Sequence, residues 1–156
     1  MEEDYPITAP LNPAFPGVQS GIPSRVPGSA DFINKVGIIQ PAVVSLDGKK
    51  LDLYARSTSK IGKIRVAYSS DDGLGGTRAR TMDIPNPNSG IDAVTLRDGR
   101  TVLVYNTTSG RTPLNLAVGR NGEHFTLFYT LESQPGEYLY PAMIQARNRD
   151  LLITYT

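Results

Sequence analysis

Asp92-Ala93-Val94-Thr95-Leu96-Arg97-Asp98-Gly99-Arg100-Thr101-Val102-Leu103-Val104-Tyr105 reads as one unit: two short apolar, β-branched runs on either side of an Asp-Gly pair. Gly takes positive φ without a Cβ penalty and Asp bonds to its own turn, so the stretch predicts a β-hairpin closed by a two-residue turn. The unit occurs three times. Pro41-Ala42-Val43, Asp92-Ala93-Val94 and Pro141-Ala142-Met143 open it, and Tyr54, Tyr105 and Tyr155, 51 and 50 residues apart, close the run that follows. The turns between them read Asp47-Gly48-Lys49, Asp98-Gly99-Arg100 and, in the third copy, Asn148-Arg149.

Outward from this unit the apolar residues continue in short runs, at 38–46, 51–56, 63–68, 91–96, 101–105, 114–118, 125–131, 140–145 and 151–155. Turn residues separate them and no segment sustains a 3.6-residue period, so the chain is all-β. A period near 50 residues with four short strands per copy is the signature of β-propeller blades. The expected fold is a partial β-propeller of roughly two and a half four-stranded antiparallel blades, at 38–84, 91–132 and 140–156. Residues 1–37 hold six of the twelve prolines and show no periodicity, which reads as an extended arm or wrapping loop.

Composition narrows the function. The formal net charge of +1 comes from interspersed acids and bases, which excludes the electrostatic footprint of a nucleic-acid or membrane-surface binder. With no cysteine and the single His124, there is no disulfide, thiol nucleophile or Cys/His metal cluster, and no cofactor is implied. No apolar run approaches about 18 residues, and the acidic start Met1-Glu2-Glu3-Asp4 is unlike a signal peptide, so the default expectation is a cytoplasmic location.

Antiparallel order fixes which loops share an end of the blades. First-to-second and third-to-fourth turns lie at one end, whereas second-to-third loops and blade-to-blade connections lie at the other. That second end collects Arg56, Asn86, Asn88, Asp92, Arg111, Glu137, Tyr138 and Tyr140 near the mouth of the channel, the usual place for a site on a rigid scaffold. Pro85-Asn86-Pro87-Asn88-Ser89-Gly90-Ile91-Asp92 belongs to this rim. It reads either as a loop presenting polar groups or as an Asx/Pro connection whose side chains cap their own backbone.

Ser69-Ser70-Asp71-Asp72-Gly73 falls at a third-to-fourth turn and resembles the Ser-x-Asp-x-Gly Asp-box of the BNR repeats of sialidases. GIIQPAVVSLDG (37–48), IPNPNSGIDAVTLRDGR (84–100), TVLVYN (101–106), GRTPLNLAV (110–118), PGEYLYPAMIQ (135–145) and LLITYT (151–156) resemble the C-terminal half of sialidase-like propeller proteins. The chain departs from that pattern in two places. Gly75-Gly76-Thr77 replaces an expected aromatic residue, and Gly119-Arg120-Asn121-Gly122 lacks the box Ser and Asp, leaving Phe125 as the plug. Family propellers have about six blades.

What the resemblance implies is an exo-glycosidase acting on or binding a terminal acidic sugar. Sialidases use a tyrosine nucleophile activated by a carboxylate, because a phenol of pKa near 10 needs help at neutral pH. Glu137 and Tyr140 become candidate base and nucleophile, with Tyr138 an equal claimant. Arg56 and Arg111 become candidate carboxylate binders, and Asn86, Asn88, Asp92 and Tyr138 candidate sugar contacts. The alternating Tyr138-Leu139-Tyr140 also suits plain β packing, and either arginine also suits a solvated or Asp-paired role. Two alternatives stand beside a hydrolase: a carbohydrate-binding propeller module without turnover, and an eroded remnant completed by an oligomer or a partner chain.

Overall fold

The computed structural model describes residues 37–156. The arm expected over 1–37 therefore lies, but for Gly37, outside the described residues. Those residues form three antiparallel sheets and no helix. The first sheet runs β1 (Ile38–Ser45), β2 (Leu51–Ser57), β3 (Lys63–Ser69), β4 (Arg80–Pro85). The second runs β5 (Asp92–Thr95), β6 (Thr101–Asn106), β7 (Leu114–Gly119), β8 (Phe125–Glu132). A hairpin of β9 (Ala142–Gln145) and β10 (Leu151–Thr154) follows. The fold is the expected all-β partial propeller.

Burial explains the stacking. Ala42, Val44, Tyr54, Ile64, Val66, Met82 and Ile84 of the first sheet pack against Ala93, Leu103, Tyr105 and Ala117 of the second. The opposite face of the second sheet places Val102, Val104, Leu114 and Leu116 against Met143, with Ile153 and Tyr155 alongside. β6 is buried along its whole length because both of its faces are covered, which is why Val102-Leu103-Val104 is continuously apolar rather than alternating. The far face of the first sheet buries Ile38, Ala55, Ala67 and Ala79 although Val43 on β1 is exposed, whereas the terminal hairpin keeps one open face with Ile144 and Leu152 exposed.

Three sequence readings change. The hairpin turns are three-residue loops, not two-residue turns. In the second sheet Gly99 N donates to Leu96 O at 2.9 Å and Leu96 N to Arg100 O at 2.6 Å, with Gly99 at φ 81°, so a type I turn is followed by a bulged left-handed residue. Arg149 takes that position in the third copy at φ 77°. Tyr54 is not the equivalent of Tyr105: Ala42 pairs with Tyr54, but Asp92 pairs with Val104 and Ala142 with Thr154. The extra residue in the 51-residue spacing turns Tyr54 toward the second sheet, whereas Tyr105 faces back to the first. Finally, β4 forms from Arg-Thr-Met-Asp-Ile-Pro, a stretch too polar to register as an apolar run, because Met82 and Ile84 alternate into the core.

Candidate functional site

The strand order puts the β2–β3 and β6–β7 loops, the 86–91 connection and the segment before β9 at one end. Two fully buried asparagines brace them. Asn86 Oδ1 accepts from Ser57 N at 3.2 Å and Ser89 N at 3.4 Å, and its Nδ2 donates to Ser89 O at 2.8 Å. Asn106 Nδ2 donates to Arg111 O at 2.7 Å and Pro113 O at 3.3 Å, while its Oδ1 accepts the Ser89 hydroxyl. Ser89 thus links both asparagines, and three loops share one buried hydrogen-bond chain. Each buried amide has its partner, so the loops hold one geometry. Here Asn86 and Ser89 cap backbone, the second of the two readings of the 85–92 loop, while Asn88 presents a polar group.

Arg56 is the penultimate residue of β2 and is 9% exposed. Its Nε donates to Asn88 Oδ1 at 3.0 Å and its Nη1 to Gln40 Oε1 at 2.7 Å, and it forms no ion pair with any carboxylate among the described residues. Nη2 has no protein partner among them, yet it is not sealed from solvent. Gln40 was not among the residues singled out from the sequence. Its signal lies in the pairing: the β1–β2 register slips between Ile39 and Pro41, and this bulge carries Gln40.

Four non-glycine residues at this end hold positive φ: Gln40 at 47°, Asn88 at 63°, Arg111 at 57° and Tyr140 at 47°. Asn tolerates this region; for Gln, Arg and Tyr it costs about 1–2 kcal/mol each. Such outliers collect at binding sites when the surroundings enforce them.

The remaining rim residues divide by what they already touch. Asp92 Oδ2 accepts from Met143 N at 2.6 Å and ties β5 to β9. The Tyr138 hydroxyl donates to Gln134 O at 3.2 Å, its ring meets Tyr155 edge-on at 6.1 Å, and its N donates to Arg111 O at 3.3 Å. Tyr140 is 57% exposed beside Gly90, where a Cβ would stand 3.5 Å from Tyr140 Cα. Glu137 is exposed, and no hydrogen bond joins it to Tyr138 or Tyr140. Arg56 and Asn88 therefore form one cluster with Gln40, Arg111 and Tyr138 a second through the backbone, and Glu137 and Tyr140 stand apart.

At the other end the turns are held by their own side chains. Ser69 Oγ donates to Asp71 Oδ1 at 2.8 Å and accepts from Gly73 N at 2.9 Å, and Asp71 Oδ1 accepts from Gly75 N at 2.9 Å. Those bonds, the Gly75 amide first, hold the Asp71 carboxyl below its usual range. In the second sheet Asn121 does the same work, accepting from Glu123 N at 3.3 Å and His124 N at 3.2 Å. Between the two turns the Tyr54 hydroxyl lies 3.0 Å from Asp52 Oδ2 and 3.1 Å from Gly122 O. Burial pushes the Asp52 carboxyl and the Tyr54 phenol up, and pushes Tyr68 up to about 12.

Comparison with known proteins agrees with the fold. The structure resembles the NanB sialidase from Streptococcus pneumoniae in complex with 2-[(3-chlorobenzyl)ammonio]ethanesulfonate, with a TM-score of 0.62 at 21% identity over 74% of this chain and 19% of that one. It also resembles a protein of unknown function from Dyadobacter fermentans, with a TM-score of 0.64 at 18% identity over 78% of this chain and 34% of that one. The chain thus spans about a fifth and about a third of their lengths. Similarity at this identity is a similarity of fold. No curated protein matches. The BNR repeat-like domain model matches residues 24–153, most of the sequence, and the chain belongs to that family.

Proposed function

We propose that the chain recognises a terminal acidic sugar, of sialic acid or uronic acid type, at the loop end of its blades. The observation that carries this reading is Arg56. A guanidinium taken out of water is costly unless something compensates its charge. Among the described residues Gln40 and Asn88 satisfy two of its five N–H groups without neutralising it, and leave the Nη2 edge for an outside acceptor. A carboxylate fits that edge with paired N–H···O bonds. Asn88 and Arg111 would contact the rest of the sugar.

Binding without turnover is the favoured form. Tyrosine as nucleophile requires a carboxylate to take its proton, and Glu137 and Tyr140 share no hydrogen bond. Hydrolysis remains the second reading because Tyr140 is exposed on a positive-φ backbone beside Gly90, and Glu137 is uncommitted. Calorimetric titration and turnover of one panel, a sialoside, a uronide and a neutral glycoside, separates the two. The expected result is saturable binding of the acidic sugars, lost in Arg56→Met, with no product released. Turnover that disappears in Tyr140→Phe would overturn the non-catalytic form.

A further inference from the structure

Gln40 sits at the innermost strand, one residue before Pro41, on a bulge that interrupts the β1–β2 pairing. Proline has no N–H to give the ladder, and the bulge turns the preceding side chain away from its expected position. The third copy repeats the device, since Tyr140 precedes Pro141 and has the same φ of 47°. In the second copy the pairing register puts Gly90 at this position, and Gly90 does not adopt positive φ. The chain accepts an unfavourable backbone at Gln40, and the side chain so displayed goes to Arg56 Nη1 at 2.7 Å.

From this geometry we propose that Gln40 is a positioning residue that sets the charge selectivity of the Arg56 site. The inference rests on Arg56 as the receptor for an anion. Arg56 is held from two sides, by Asn88 at Nε and by Gln40 at Nη1, and both acceptors are neutral amides. The clamp fixes the plane of the guanidinium while its full charge stays available to a ligand. A carboxylate at position 40 would hold the guanidinium at least as firmly, because a charge-assisted bond is stronger than a neutral one, but it would cancel the attraction for an anion. Stability and anion affinity thus respond in opposite directions to the isosteric change Gln40→Glu.

The test compares Gln40→Glu, Gln40→Met and Arg56→Met with the unaltered chain, using glucuronic acid as probe, glucose as neutral control, and thermal unfolding of each variant. Gln40→Glu is expected to weaken glucuronate binding about tenfold or more with an unchanged or higher Tm. Gln40→Met, which removes the acceptor and adds no charge, is expected to weaken it only about threefold with an equal or lower Tm. A merely structural role gives the reverse order, with Met more damaging than Glu. Glucuronate binding that is lost in Arg56→Met but unchanged in Gln40→Glu would overturn the role of Gln40 alone. Absence of saturable binding to the unaltered chain would overturn the reading of Arg56, and the role of Gln40 with it.

Discussion

Replacing Asn86 by alanine removes the brace of the loop end. Asn86 is fully buried, as are its partners Ser57 and Ser89, at 0% and 1% exposure. The substitution leaves the Ser57 N–H and the Ser89 carbonyl without partners in a place water does not reach, and also drops the longer contact from Ser89 N. A buried group orphaned in this way costs about 1–3 kcal/mol, so two of them predict a loss of about 2–6 kcal/mol. That is a large part of the roughly 5–15 kcal/mol that keeps a domain folded. Urea unfolding followed by circular dichroism measures it. A loss below about 1 kcal/mol for Asn86→Ala, at unchanged m-value, would mean that Asn86 is not the brace of this end.

Three further outcomes follow from the opposite end. Because burial raises the Asp52 carboxyl in the folded chain, its charged form is disfavoured there, and its contribution to stability is greatest below the unfolded pKa and declines as pH rises through the folded one. Asp52→Asn is therefore expected to match the unaltered chain near pH 4 and exceed it in Tm at pH 7; a constant difference across that range would count against it. Gly122→Ala places a Cβ 1.9 Å from Asp52 Oδ2 at a φ of 71°, and is expected to cost about 2–4 kcal/mol in denaturant unfolding. Arg149→Gly relieves the φ of 77° in the last hairpin and is expected to stabilise by about 0.5–1 kcal/mol net of the extra chain entropy, visible as a small rise in Tm.

The fold was legible because its signal is repetition. Strand alternation and a near 50-residue period survive any uncertainty in single positions, and together they identify stacked antiparallel sheets. Facing was less legible. Tyr54, Tyr105 and Tyr155 look like one column, yet one added residue sends Tyr54 to the other face, and only the pairing register distinguishes 50 from 51. The fourth strand expected of the first blade carries no apolar run of its own, because only two buried residues among six carry the alternation of β4. At the candidate site, loop order alone located the end where Arg56, Asn88, Arg111 and Tyr140 lie. What sequence could not assign was which amides are spent inside: Asn86 and Asn88 stand two residues apart in the same loop, and one braces the chain while the other reaches Arg56. Gln40 was missed because a bulge is a property of two strands together, with no single-residue mark beyond the proline that follows.

Assigned ¹H–¹⁵N spectra of the chain, titrated with glucuronic acid and with N-acetylneuraminic acid, show whether the loop end around Arg56 receives an acidic sugar. Saturable shifts are expected at Gln40, Arg56, Asn88 and Gly90, abolished in Arg56→Met, while Ser69, Asp71 and Asn121 at the far end stay fixed. Shifts confined to that far end, or no saturable shift with either sugar, would rule out such a site.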